Sequence, residues 1–135
     1  MSALAAPLMV KQSSGLIVNI SSRGGREYVF SASYGAGKAG VDRMAQDMAL
    51  ELKPHSVAAL SLSPSKVKTE FILDMVAQGK MRLDPNEAQS VRLTGRVIAA
   101  IASSQHVMEL SGGIHTVSGL ASTLGVEDPD PGANF

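Results

Sequence analysis

At 135 residues the chain has the length of one domain, and hydrophobic residues at 44% supply material for a core. Twelve basic residues balance twelve acidic ones, which excludes a strong field toward nucleic acid or an anionic membrane. There is no cysteine, hence no disulfide framework and no thiolate metal site, and no apolar run near the roughly 20 residues of a membrane-spanning helix. The N-terminus, MSALAAPLMVK, lacks the basic first region and cleavage site of a secretory signal, so the chain reads as soluble and cytoplasmic.

Residues 2–11 suggest a short helix, weakened by Pro7. Gly15 opens a strand over 16–20, nearly continuous in apolar residues, as in a parallel sheet buried on both faces. Ser21, Ser22, Gly24 and Gly25 mark a loop over 21–33. A helix is predicted over 34–53 with Ser33 as N-cap, and Ala39, Met44, Ala45, Met48 and Leu52 form its apolar stripe. Pro54 stops it. A second strand covers 56–63 and ends at Pro64. Thr69 caps a short helix reaching about residue 78. Pro85 suits the first turn of a further helix over 86–103, with Val91, Val97, Ile98 and Ile101 as its buried face. A third strand is expected over 113–117. The division expected is one catalytic portion over 1–120 and a loose, turn-rich tail over 121–135.

Strands alternating with helices imply an α/β fold with a parallel sheet and right-handed crossovers. In such sheets ligands bind beyond the carboxyl ends of the strands. Ser21 and Ser22 lie at the end of the first strand, residues 64–69 at the end of the second, and Tyr34 and Lys38 open the intervening helix. The four-residue spacing of Tyr34 and Lys38 puts phenol and ammonium on one helix face. A nearby ammonium favours the charged form of a phenol, which suits general acid–base catalysis at an alcohol or carbonyl carbon. The accompanying hydride must come from a cofactor, since no side chain supplies one.

GLIVNISS, then YGAGKAG, then SPSKVKTE resembles the short-chain dehydrogenase/reductase family, in the C-terminal half of its Rossmann-like fold, over residues 8–120. Within that family, YGAGKAGVDRMAQDMALEL and the ending LSGGIHTVSGLASTLGVED look most like the dehydrogenase/reductase member 1 subgroup. The resemblance implies Ser22, Tyr34 and Lys38 as the catalytic set, with Ser21 the alternative serine by spacing. It implies NAD or NADP as cofactor, with Lys38, Pro64, Val67 and Thr69 as the residues contacting it. It further implies a small alcohol or carbonyl substrate and a homo-oligomer, formed through the helix starting at Tyr34 or the exposed strand edge.

The chain departs from the family at its cofactor half. No TGxxxGxG turn and no NNAG segment appear, so the phosphate cradle is missing and a partial sheet of about three strands is expected. Ser65 stands where the family carries glycine and would crowd a nicotinamide. The alternative reading is an inactive truncated fragment, acting if at all as a dimerisation partner of a complete relative. An unpaired edge at 16–20 predicts instability or association. His55, His106 and His115 have no metal-ligand spacing, and Glu127, Asp128 and Asp130 do not complete a calcium loop beside Pro129 and Pro131. Lys66 and Lys68 read as a solvated loop, Met44, Met48 and Met75 as packing residues, and no GxSxG element supports a hydrolase.

Overall fold

A computed structural model describes residues 2–84 and 88–131. The elements run α1 (Ser2–Gln12), β1 (Gly15–Ile20), α2 (Ala32–Leu52), β2 (Val57–Ser63), β3 (Lys66–Val67), α3 (Glu70–Ala77), β4 (Ala88–Gln89), α4 (Val91–Ser103), β5 (Ile114–Thr116) and α5 (Val117–Leu124). Three strands form a parallel sheet in the order β1-β2-β5. β1 pairs with β2 from Gly15↔Val57 to Ile20↔Leu62, and β5 pairs with β2 from Ser61↔Ile114 to Ser63↔Thr116.

The continuous apolar run of β2 has a physical cause in this layout. Every one of its seven residues is buried, because it lies mid-sheet with helices on both faces. Leu60 and Leu62 point to one face, against Leu93, Val97 and Ile101 of α4 and Val117 and Leu120 of α5. Ala59 and Ile17 point to the other, against Ala49 of α2, with Met9 of α1 and Met48 of α2 closing over them. Each large aliphatic side chain fully buried this way contributes about 1.5–3 kcal/mol.

Hydroxyl caps fix where the helices begin. Ser31, Thr69, Ser90 and Thr116 each accept a hydrogen bond from the amide three residues on, at Tyr34, Ile72, Leu93 and Gly119. Two expected helix starts are corrected accordingly. Ser31 rather than Ser33 caps α2, so the helix starts at Ala32 and Tyr34 sits inside its first turn. α4 begins at Val91 under its Ser90 cap, because Ala88 and Gln89 are drawn into a two-residue parallel ladder with Lys66 and Val67. The expected start at Asn86 lies outside the described residues.

The C-terminal part also differs from expectation. The third strand stops at Thr116, whose hydroxyl starts α5 at Val117. The tail expected from 121 is helical to Leu124, with Ala121 buried and Leu124 and Val126 packed on the core. Among the packing methionines, Met44 is instead 52% exposed. Where β5 falls short of β2, Ser111 completes the pairing: its hydroxyl accepts from Ala59 N at 3.1 Å and lies 3.3 Å from Ala59 O, to which Gly112 N donates at 2.8 Å. No helix among the described residues is long and apolar enough to cross a membrane.

Candidate active site

The end of β1 delivers two serines with different surroundings. Ser21 is buried; its amide donates to Leu62 O at 2.9 Å, extending the sheet, and its hydroxyl donates to Lys38 O at 3.4 Å. Ser22 is half-buried, and its hydroxyl accepts from Gly24 N at 3.2 Å, starting a tight turn over Arg23–Gly25. The Ser22 oxygen still has its own proton to donate.

That tight turn lies against α2. A Cβ on Gly24 would come within 2.6 Å of Tyr34 Cε1, and one on Gly25 within 2.8 Å of Asp42 Oδ2. The turn therefore holds the Tyr34 ring from one side. Phe30 holds it from another, edge to face, with centroids 5.2 Å apart at 88°. Deeper along α2, buried Asp42 accepts from Ser61 Oγ of β2 at 2.5 Å, pinning the helix to the sheet.

Lys38 Nζ lies 5.9 Å from the Tyr34 ring centroid and donates to Ile20 O at 3.1 Å. The ammonium thus ties the last residue of β1 to α2 while facing the phenol ring. Ser22 and Tyr34 line a groove of about 620 Å³, together with Pro64, Val67 and Thr69 from the segment after β2. Ser65 is exposed and lines the same groove. Thr69 Oγ1 accepts from Ile72 N at 3.3 Å as the α3 cap. Of the residues singled out from sequence, Ser22, Tyr34, Pro64, Val67 and Thr69 share this groove, and Lys38 stands behind Tyr34.

Two contributors were not visible in the sequence. Tyr28 and Phe30, read only as loop, also line the groove. A C-terminal clasp holds the segment that carries Val67 and Thr69. Lys68, expected in solvent, is 4% exposed and donates from Nζ to Pro131 O at 3.0 Å. Asp128 accepts from Ser90 N at 2.8 Å and from Asp130 N at 3.1 Å, and Arg92 lies 3.6 Å from Asp130. Partial burial pushes the Asp128 carboxyl up, but hydrogen bonds from Ser90 and Asp130 and the charge of Lys68 outweigh it, and the net shift is downward. The sequence signal was Asp two residues before Asp, a spacing that favours a side-chain-to-backbone turn. No group of three or more His, Cys, Asp or Glu gathers as a metal site among the described residues.

The family pattern described as short chain dehydrogenase matches residues 1–78. The chain belongs to the short-chain dehydrogenase family. It is 37% identical over 134 residues to "Dehydrogenase/reductase SDR family member 1" of Mus musculus, covering 93% of this chain and 43% of that protein, and equally so to the Homo sapiens protein of that name. An uncharacterized oxidoreductase of Staphylococcus aureus is 33% identical over 104 residues, covering 76% of this chain and 43% of its own length. The chain thus spans less than half the length of the curated relatives it matches. Among solved structures, "ElxO with NADP Bound" superposes with a TM-score of 0.73 at 23% identity, over 90% of this chain and 52% of that one. A 3-oxoacyl-[acyl-carrier protein] reductase with bound NAD from Brucella melitensis superposes with a TM-score of 0.67 at 23% identity, over 86% of this chain and 44% of that one. These likenesses establish a Rossmann-type fold.

NAD(P) is the cofactor of this family, and the residues present fit one end of it. Ser22 and Tyr34 line the groove together with Pro64, Val67 and Thr69, and its volume of about 620 Å³ has room for a nicotinamide ring. The sequence has no Gly-rich turn opening a helix, so nothing here matches a pyrophosphate cradle.

Proposed function

We propose that this chain carries the catalytic side of an NAD(P)-dependent oxidoreductase that interconverts an alcohol and a carbonyl compound. The observation that supports this reading is that Ser22 and Tyr34 line one groove with Pro64, Val67 and Thr69. Hydride transfer is the chemistry NAD(P) supplies when bound. The rest falls to side chains. The Ser22 hydroxyl, with its own proton unused by the tight turn, donates to the substrate oxygen and orients it. Tyr34 gives that oxygen a proton in reduction and takes one in oxidation. Lys38, held by its bond to Ile20 O, keeps its positive charge 5.9 Å from the centroid of the phenol ring. Pro64, Val67 and Thr69 hold the nicotinamide end of the cofactor.

The test is a titration of the purified chain with NADH and NADPH, followed by carbonyl reduction with and without Tyr34→Phe. Loss of the general acid–base should cost on the order of 10²–10⁴ in rate. Turnover unchanged by Tyr34→Phe, or no nucleotide binding at millimolar concentration, would overturn the reading for this chain. The second reading is a chain that acts by pairing with a complete relative. It is favoured by the outer edge of β1, which has no strand neighbour among the described residues, and by Leu4, Leu8 and Leu50 standing 82%, 65% and 74% exposed on α1 and α2. Co-purification with a full-length relative, without turnover of its own, would select it.

A further inference from the structure

The chain has five aromatic residues, three Phe and two Tyr, and Tyr28, Phe30 and Tyr34 all line the same groove. Two of these rings stand in water, Tyr28 at 83% and Phe30 at 71% exposure. Phe30 is also held in an unfavourable backbone conformation, at φ +63°. Ser31 N donates to Val29 O at 2.8 Å, closing a three-residue turn centred on Phe30. Tyr28 Oη donates to Phe30 O at 3.3 Å and braces that turn. The strained turn sets the Phe30 ring on Tyr34 and leaves its other surface bare. Folding alone gains little from either exposed ring, whereas a ligand in the groove would bury both.

We infer that Tyr28 and Phe30 determine the specificity of this groove, and that its substrate is an uncharged, ring-bearing carbonyl compound or the matching alcohol. This rests on the oxidoreductase reading above. The apolar ring seats against Tyr28 and Phe30 while the oxygen reaches the Ser22 and Tyr34 hydroxyls. Val29, Ile72 and Leu83 continue the apolar wall. Of the groove's cations, Arg23 is paired with Glu27 at 3.2 Å, Lys66 is itself engaged, and Arg82 is exposed, where water solvates its charge without an anionic ligand. The volume of about 620 Å³ admits a fused two-ring molecule.

Both tyrosines line the groove and the chain lacks tryptophan, so its intrinsic fluorescence reports on this site alone. The purified chain is titrated, without nucleotide, with trans-2-decalone, with acetone and with a cyclohexanone bearing a carboxylate. Decalone should saturate the signal at concentrations where acetone and the carboxylate leave it flat. Phe30→Gly should weaken decalone binding about tenfold while the thermal midpoint holds or rises, since glycine adopts a positive φ without strain. Phe30→Asn, which tolerates the same φ, should repeat the loss. Equal decalone affinity in all three chains, no decalone binding by the unaltered chain, or tighter binding of the carboxylate would each overturn the inference. The readout needs no turnover, so failure of Tyr34→Phe to abolish reduction counts against the hydride-transfer reading and leaves this result standing.

Discussion

Gly24 occupies a place that only hydrogen fills, because a Cβ there would lie 2.6 Å from Tyr34 Cε1. Gly24→Ala must therefore shift either the tight turn or the ring it holds. The expected cost is about 1–3 kcal/mol, read as a lower denaturant midpoint with an unchanged slope. A midpoint equal to the unaltered chain's would show that the ring is not fixed by this contact. The pairing of Tyr34 with Lys38 was legible, because four-residue spacing fixes a shared helix face. The partners of the ammonium were not. That Lys38 reaches Ile20 O depends on how α2 packs across β1, and no local pattern encodes it. The role of Gly24 was equally hidden, since in sequence it is one more loop glycine.

At the level of elements, period and caps explain what could be read. β2 and the apolar face of α4 announce themselves through runs and spacing, and Thr69 through its place before a helical pattern. The misjudged elements owe their form to partners far along the chain. β3 and β4 are two residues each and exist only by pairing with one another. The clasp over 127–131 looked loose because its composition is that of a turn, yet it grips Ser90 and Lys68 from 38 and 63 residues away. Its contribution should follow pH. The Asp128 carboxyl is depressed in the folded chain, so its stabilisation is complete above the unfolded value near pH 4 and is lost as pH falls through the lower, folded value. Asp128→Asn should lower the urea midpoint by a constant amount from about pH 5 to 7, and the gap to the unaltered chain should close below about pH 4. A gap that persists at the acid end would assign the effect to something other than the charge.

For the molecule as a whole, the fold class was written in the order of strand and helix, and the partial sheet in what the sequence lacks. The helical layer added by α5 was missed because its start is set by one hydroxyl, Thr116, inside a stretch that also reads as strand. The sheet leaves the outer edge of β1 without a strand neighbour among the described residues, and Ile20 at its end is 43% exposed. Sedimentation at micromolar concentration should therefore show association, and Ile20→Lys should move the distribution toward monomer, since an edge charge disfavours further pairing. A stable, cooperatively unfolding monomer would sink this expectation. The opposite margin of the sheet behaves differently, because β5 offers three residues and the Ser111 side chain satisfies the stretch of β2 beyond them. β5 at that margin is the shorter template, so a new strand is expected to dock chiefly along β1, and a pair joined edge to edge through β1 is the expected assembly.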